Sequence, residues 1–442
     1  MQSVNCLYFL VGTNPMSSYV VADYFINHEK NIKEIHLIHS AEDSENNIQS
    51  SEPFALNLKS VLEKKFPDIE YYLHAIRIKN AFSIRNDVLS ILSDSSFREN
   101  VHLDFSDGTK EMVLYSHETF KSVLGQNVTF SYFDSRRNRL KTNTDSSEKT
   151  DADSNEKTDA DSSENAESVS LRNKIQISFS DLFQLRGYEI VREKGGSIFS
   201  VDFFKDFLNL IRTQENFYEY LKWKEHFIQI YPNSKKLIPN GMQTKFDDLL
   251  PLDIKIAENL KEDLFFKIYN FAPEYSFFED RNGEFMLKTN PGNKQQDKLA
   301  ETRKYISGYW FEQYAYMILK ENLSDTGFIS GIDLNLLIQT SRKNFEMDVV
   351  LMKGYEFCGI SCTTDTTQSL CKSKGFEILH RTKQIAGKNS KAILLTLMNE
   401  NNTKEVDDDL SEILEDRILV LGLKDLFPTE TFCEKVKGFL KT

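Results

Sequence analysis

Apolar residues in the N-terminal third recur in short, nearly continuous runs, and segments with helical spacing lie between them. The runs occupy residues 6–11, 33–39, 70–78, 101–105 and 128–133. Strands that alternate with helices in this way form a parallel sheet with helices on both faces. We therefore predict an α/β domain with a Rossmann-like parallel sheet, in which ligands bind beyond the C-terminal ends of the strands.

The C-terminal third has a second alternating pattern, which predicts a separate α/β domain. Helices are predicted at 304–322 and 376–387, and strands at 331–339, 345–352, 356–363 and 391–398. The intervening residues, 171–300, are rich in aromatic side chains and mostly helical by their spacing. We interpret them as a connecting helical or winged-helix-like region, to which the sequence assigns no chemistry.

One segment differs sharply in composition from the rest of the chain. An acidic eight-residue unit recurs within residues 143–168, as SSEKTDAD, SNEKTDAD and a truncated SSEN. Such a segment has too little apolar surface to offset the entropy of ordering, so we predict a flexible acidic linker. The predicted organisation is an N-terminal domain at 1–140, the linker at 141–170, the connecting region at 171–300 and the C-terminal domain at 301–442.

The overall composition narrows the possible classes of protein. A formal net charge of −13 excludes a generally basic nucleic-acid coat protein, although a local basic groove remains compatible with it. No apolar run is long enough to predict a membrane span, and no basic region precedes the first apolar stretch as in a signal peptide. The odd number of cysteines, 5, does not suggest a disulfide framework. We expect a reduced, cytoplasmic protein that makes no membrane contact.

Two loops in the N-terminal domain follow strands and precede helices. The first spans residues 12–18 (GTNPMSS), and the second spans residues 106–110 (SDGTK). Backbone N–H groups at helix N-termini, hydroxyl groups and a lysine suit a phosphate or nucleotide, although ordinary turn and capping residues have the same composition. Neither the Walker spacing nor a GxGxxG motif is present.

Together the two loops resemble those of the CRISPR-associated Rossmann-fold (CARF) ligand-sensing domain, and DFSDGTKEM (residues 104–112) matches the second loop of that family. Asp107 stands where a glycine is more usual. The resemblance implies a homodimer that binds a cyclic oligoadenylate, most simply cyclic tetra-adenylate, across the interface. It also implies a set of ligand-binding residues: Thr13, Asn14, Ser40, Ser106, Gly108, Thr109 and Lys110.

The segments GYWFEQYAY and FEMDVVL resemble the restriction-endonuclease-like core of nucleases linked to CARF domains. That core carries a PD-(D/E)xK motif, whose carboxylates bind Mg²⁺ or Mn²⁺ and whose lysine assists the attacking water. The resemblance places Glu312 and Asp348 at two carboxylate positions and makes them the candidate metal ligands. Glu346 precedes Asp348 by two residues, on the same face of a regular strand.

This chain departs from the motif at the Glu-x-Lys position, where Ser361, Cys362 and Thr363 stand instead. Neutral hydroxyl groups are weak ligands, so Ser361 and Thr363 are candidates only for a remodelled catalytic site. A strand that continued past Thr363 would carry Asp365 on the same face, as a replacement carboxylate. Lys372 or Lys374 could supply the missing cation.

Two functions therefore remain open. The first is a ring-activated, metal-dependent endonuclease that cleaves single-stranded DNA or RNA. The second is a catalytically silent nuclease fold that binds nucleic acid or a protein partner in response to the ring. An unrelated nucleotide-binding protein is a third possibility. The sequence does not indicate the size of the ring, a preference for DNA or RNA, or whether the N-terminal domain degrades its activator.

Overall fold

The computed structural model describes residues 4–29, 31–43, 49–94, 100–143, 167–191, 199–230, 245–246, 248, 255–288, 293–340, 343–387, 390–414 and 417–441. Two sheets dominate these ranges, and helices cover both faces of each sheet. The α/β fold class predicted from the sequence is confirmed.

The N-terminal sheet has the strand order β3-β2-β1-β4-β5-β6-β7, and its first five strands are mutually parallel. The parallel strands are β1 (Cys6–Val11), β2 (Glu34–Ser40), β3 (Glu70–Ile76), β4 (Val101–Asp104) and β5 (Val128–Asp134). The connecting helices are α1 (Met16–His28), α2 (Glu52–Lys65), α3 (Ala81–Asp94) and α4 (Lys110–Leu124). Helices α1 and α2 pack on one face, and α3 and α4 pack on the other. The nearly continuous apolar runs in the sequence reflect this burial from both sides.

The apolar pattern predicted β5 as the last strand of this sheet, but the sheet continues beyond it. Strand β6 (Arg139–Asn143) pairs antiparallel with β5, and β7 (Glu167–Ser170) pairs antiparallel with β6. Both ends of the predicted linker, 141–170, therefore belong to strands. The acidic repeat between them lies outside the described residues.

The predicted connecting region contributes to both halves of the molecule. Helix α5 (Phe179–Leu185) contacts α2, and β8 (Glu189–Val191) joins the edge of the C-terminal sheet. Further helices follow, together with an antiparallel hairpin of β9 (Phe278–Arg281) and β10 (Glu284–Leu287). These helices are α6 (Lys205–Leu210), α7 (Gln214–Ile230), α8 (Ala257–Leu260), α9 (Lys267–Phe271) and α10 (Asn293–Lys304). Their buried aromatic side chains share one core with the C-terminal sheet.

The C-terminal sheet has the strand order β15-β14-β13-β12-β11-β8. Its remaining strands are β11 (Gly331–Gln339), β12 (Asn344–Lys353), β13 (Glu356–Thr363), β14 (Lys391–Thr396) and β15 (Ile418–Leu421). Pairing is antiparallel from β8 to β13 and parallel from β13 to β15. The helices are α11 (Trp310–Leu319), α12 (Gln368–Ala386), α13 (Glu400–Leu414) and α14 (Thr429–Lys441). Helices α11 and α14 pack on one face, and α12 and α13 pack on the other.

The two sheets share a hydrophobic core through α5. Leu182 and Leu185 of α5 belong to the same buried cluster as Leu37 of β2 and Leu394 of β14. Lys64 of α2 also forms a 2.8 Å ion pair with Asp181 of α5. The N-terminal domain therefore packs directly against the face of the C-terminal sheet that carries α12.

Candidate functional site

The two loops predicted to bind a ligand contact each other at the C-terminal ends of β1 and β4. The Gly12 N–H donates a 2.9 Å hydrogen bond to Oδ2 of Asp107. A Cβ atom at residue 12 would stand 2.7 Å from Oδ1 of Asp107 and 2.9 Å from the Gly108 nitrogen, so this approach requires glycine. Asp107, the residue that departs from the family pattern, thus joins the two loops. Burial raises the pKa of its carboxyl group, and the bonded N–H groups of Gly12, Asn14 and Gly108 oppose that shift.

The predicted ligand residues divide into an exposed set and an internal set. Thr13, Thr109 and Lys110 are exposed, Asn14 is half-buried, and Gly108 adopts a left-handed φ of 93°. Lys110 is the first residue of α4, and the Thr109 hydroxyl accepts a hydrogen bond from Met112 N–H that caps this helix. Lys110 therefore lies exposed at a helix N-terminus, and its contact with a phosphate stays a prediction.

The two serines of the predicted set bond within the protein. The Ser106 hydroxyl donates to Oδ2 of Asp104 at 2.8 Å and accepts the Phe133 N–H at 2.7 Å. Ser40 is buried, and its hydroxyl lies 3.1 Å from that of Ser51. Both residues shape the loops, and a direct role in ligand binding stays a prediction.

A buried polar network supports the second loop from below. The carboxylate of Asp104 accepts hydrogen bonds from Ser106 and from Ser131, and Ser131 also bonds to His102. Burial raises the pKa of Asp104 to about 7 and lowers the pKa of His102 to about 3. A titratable carboxyl group therefore lies directly behind the loop that carries Lys110.

The first loop also touches the C-terminal domain through Arg186, which the sequence did not indicate. Its Nη1 donates to the Thr13 main-chain oxygen at 2.7 Å, and its Nη2 donates to Oδ1 of Asn14 at 2.7 Å. Its Nε donates to the main-chain oxygen of Ile385 in α12 at 2.8 Å. A Cβ atom at Gly387, just beyond α12, would stand 2.8 Å from Nδ2 of Asn14. One end of α12 is therefore in close contact with the predicted ligand loop.

The C-terminal site brings Glu312 of α11 and Asp348 of β12 together. Both carboxyl groups are largely buried, and burial raises both pKa values, that of Glu312 to about 9. The neighbouring charges of Asp348 and Glu346 raise the pKa of Glu312 further, whereas Lys374 of α12 opposes the shift. The structure therefore places the two predicted metal ligands, Glu346 and one lysine within electrostatic reach of each other.

The sheet changes its pairing at Asp348. The regular backbone pairing between β12 and β13 ends at the Val349–Ile360 pair. The Asp348 side chain instead accepts the Cys362 N–H at 2.7 Å, and the Ser361 hydroxyl lies 3.3 Å from the same oxygen, Oδ2. Both bonds use Oδ2.

Asn335 is a site residue that the sequence analysis missed. It lies within β11 with a left-handed φ of 50°. Leu334 and Val349 form a pair that packs on the α11 side, whereas Leu336 and Met347 form a pair that packs on the α12 side. Positions two apart share a face in a regular strand, so both strands turn over at Asn335 and Asp348.

The Asn335 side chain then reaches the acidic site. In the amide orientation that satisfies both contacts, its nitrogen donates to Oε2 of Glu312 at 2.9 Å and lies 3.3 Å from the Asp348 main-chain oxygen. An asparagine between Leu334 and Leu336 was the one available signal, because asparagine tolerates the left-handed region better than most side chains.

The other residues predicted for a remodelled site are placed differently. Strand β13 ends at Thr363, so Asp365 does not continue its face as we expected. The Asp365 carboxylate accepts the Thr367 N–H at 2.7 Å just before α12, and the buried Thr363 hydroxyl accepts the Asp365 N–H at 3.2 Å. Lys372 forms an ion pair with Asp409 of α13, and Lys374 is the lysine near the two acids.

The residues of this site suit a hard divalent cation. Carboxylate oxygens are the ligands that Mg²⁺ and Mn²⁺ prefer, and Glu312 and Asp348 supply them from two different elements. The two carboxylates repel each other in a buried position, and a cation between them would relieve this repulsion. Ser361 and Thr363 add no charge, so the site has fewer acidic ligands than the full motif.

Comparisons with known proteins support the fold. No protein-family model and no curated protein matches the chain. Protein VC1899 from Vibrio cholerae matches with a TM-score of 0.64 and 14% identity, over 99% of this chain and 98% of that one. Can2 from Sulfobacillus thermosulfidooxidans, solved in complex with cyclic tetra-adenylate, matches with a TM-score of 0.62 and 14% identity, over 99% and 100%.

A further observation concerns membranes. Among the helices in the described part of the chain, none combines the length and apolar character that crossing a bilayer requires. Each of the two structural matches covers 99% of this chain, so both sheets lie within the matched region. Over nearly its whole length, the chain therefore shares the fold of these two proteins.

Proposed function

We propose that two copies of this chain bind one cyclic tetra-adenylate between their N-terminal domains, and that binding activates metal-dependent cleavage of single-stranded nucleic acid by the C-terminal domains. The observation that carries this proposal is the end-to-end likeness to Can2, whose structure contains cyclic tetra-adenylate. At the C-terminal ends of β1 and β4, this chain presents two joined loops with an exposed lysine.

The sensor chemistry follows from the loop geometry. Lys110 and the N-terminus of α4 would neutralise ring phosphates, and the exposed Thr13 and Thr109 would offer hydroxyl groups to the ring. A ring with four identical units has a two-fold axis, so a symmetric dimer can offer each half of it the same residues. Activation then requires that the ring bind the active arrangement of the dimer more tightly than the inactive one.

The nuclease chemistry would use Glu312 and Asp348 as ligands. A bound Mg²⁺ or Mn²⁺ would polarise the scissile phosphate and lower the pKa of a water molecule. Asn335 would hold Glu312 in place, and Lys374 would supply the positive charge that the Glu-x-Lys motif otherwise provides. DNA and RNA both present the phosphodiester that this chemistry attacks.

The sensor is tested by calorimetry with cyclic tetra-adenylate. We expect the wild type to bind one ring per two chains and Lys110→Ala to bind at least about tenfold more weakly, because a charge-assisted phosphate contact is lost. Lys121→Ala is the matched control, since Lys121 is exposed at the opposite end of α4. Absence of binding to the wild type, or equal losses in both variants, would contradict the sensor proposal.

The nuclease is tested with labelled single-stranded DNA and RNA in the presence of Mn²⁺, with and without the ring. We expect cleavage only when the ring is present, and none in Asp348→Asn. Lys374→Ala should reduce the rate strongly, whereas Lys372→Ala should have little effect because Lys372 pairs with Asp409. Cleavage that persists in Asp348→Asn would show that another site is responsible.

A silent nuclease fold is the second candidate, and a specific observation favours it. The Ser361 and Thr363 side chains, at the positions of the missing acid and lysine, are both bonded within the protein. Ring binding without cleavage of either nucleic acid would support this candidate. A gel-shift assay with the same oligonucleotides would then show whether the ring controls binding instead.

A further inference from the structure

A second cluster of potential metal ligands lies at the opposite end of the N-terminal sheet from the predicted ring site. Cys6 begins β1, while Glu34 and His36 lie at the start of β2, and Cys6 is paired in register with Glu34. Strand β1 runs from Cys6 to Val11, so about 20 Å of strand separates this cluster from Gly12. We refer to these three residues as the Cys6 cluster.

The three side chains converge in the protein interior. One potential ligand atom from each, Sγ of Cys6, a carboxylate oxygen of Glu34 and a ring nitrogen of His36, lies within 4.8 Å of the other two. Nε2 of His36 is 3.2 Å from Oε2 of Glu34. The exposed fractions are 0% for Cys6, 9% for Glu34 and 4% for His36. Small side-chain adjustments would bring the atoms to the separations of a tetrahedral site.

The imidazole of His36 is held in a fixed orientation. Tyr8 stacks on it at 4.4 Å between centroids, Tyr72 lies in a stacked plane at 4.9 Å, and the His74 ring lies beside it in nearly the same plane. Its Nδ1 is 2.8 Å from Nε2 of His74 on β3. Metal-ligating histidines commonly use the second ring nitrogen in this way, which fixes the tautomer and points the first nitrogen at the metal.

We propose that Cys6, Glu34 and His36 bind one zinc ion, with His74 as the residue that positions His36. Thiolate, imidazole and carboxylate are zinc ligands, whereas Mg²⁺ and Ca²⁺ select oxygen alone. Three protein ligands leave a fourth position for water. Binding releases the thiol proton and joins β1 to β2, with β3 attached through His74, so the ion stabilises the base of the sensor domain.

The test uses full-length protein that has been stripped of metal with a chelator and titrated with Co²⁺, a spectroscopic substitute for zinc. We expect a thiolate-to-cobalt charge-transfer band that added Zn²⁺ abolishes, since the carboxylate site of Glu312 and Asp348 has no thiolate ligand of its own. Cys6→Ser should remove this band, and His36→Gln should weaken binding roughly tenfold or more. Cys362→Ser is the control, because Cys362 is the cysteine that adjoins Asp348 in the nuclease site.

The melting temperature gives a second readout that does not depend on Cys6→Ser folding. Zn²⁺ should raise the melting temperature of the wild type and of Asp348→Asn, but not that of His36→Gln. A wild type without a charge-transfer band, or a band that survives Cys6→Ser, would overturn the proposal and leave the cluster as a buried hydrogen-bond network. Neither result depends on ring binding or cleavage, so the proposed function is tested separately.

Discussion

Asp104 is a buried acid whose ionisation opposes folding near neutral pH. Burial raises its pKa to about 7, so the folded state binds this proton more tightly than the unfolded chain does. Its contribution to stability is full below the pKa of the unfolded chain, near 4, and is lost as the pH rises towards 7. Asp104→Asn keeps an acceptor for Ser106 and Ser131 but cannot ionise. We therefore compare the melting temperature of this variant with that of the wild type at two pH values. The difference, variant minus wild type, should be at least ~2 °C larger at pH 8 than at pH 5.5.

The matched control for Asp104 is Asp68→Asn, because Asp68 is an exposed aspartate of the same domain. Its effect on the melting temperature should be small and the same at both pH values. If the difference between Asp104→Asn and the wild type does not change with pH, the buried carboxyl group does not titrate in this range.

Asn335 allows the backbone and the side chain to be tested separately. Asn335→Gly and Asn335→Ala both remove the amide that bonds to Glu312, but only alanine meets steric strain at a φ of 50°. We expect the glycine variant to be the more stable of the two by about 1 kcal/mol in urea unfolding. At the exposed Gln339 of the same strand, alanine should be the more stable substitution. If alanine is the more stable substitution at residue 335 as well, the left-handed conformation of Asn335 is contradicted.

At the scale of elements, the sequence predicted most strands and failed where pairing is distant or the backbone is irregular. The parallel core was predictable because strands buried on both faces are nearly uniform apolar runs. Strand β6 was missed because its residues, RLKTN, are mostly polar and its partner β7 follows a long acidic segment. The turn-over at Asn335 was missed because a period of two assumes a regular strand. Glu312 and Asp348 were identified by motif, but Arg186 acts through contacts that span 199 residues of sequence.

Helix α12 connects the two candidate sites. Lys374, near the acids, and Ile385, which Arg186 contacts beside the first loop, are about 17 Å apart along the helix. Arg186→Lys keeps the charge but not the three-way geometry. We expect faster amide hydrogen exchange in this variant both at residues 14–18 and at Gly387, whose N–H donates to Lys383 in the final turn of α12.

The control for Arg186 is Lys64→Ala, which removes an exposed ion pair between α2 and α5 in the same interface. Exposed pairs of this kind contribute little to stability, so exchange at both segments should match the wild type. Faster exchange in Arg186→Lys at only one of the two segments would show that Arg186 does not couple the loop to the helix.

At the scale of the whole molecule, the core shared through α5 predicts that both halves unfold together. The protein has 2 tryptophans, Trp223 of α7 and Trp310 of α11, and both lie in the core of the C-terminal half. Their fluorescence therefore reports on a region distant from the predicted ring site.

If the chain is one cooperative unit, a ligand at 100 times its Kd should stabilise the tryptophan environment by about 2.7 kcal/mol, although it contacts only the N-terminal domain. We expect cyclic tetra-adenylate to raise the urea midpoint of tryptophan fluorescence in the wild type and not in Lys110→Ala. Leu37→Ala, in the N-terminal part of the shared core, should lower the same midpoint without ligand. If neither ring binding nor Leu37→Ala changes the tryptophan midpoint, the two halves unfold independently. Any activation must then pass through the dimer and not through the shared core.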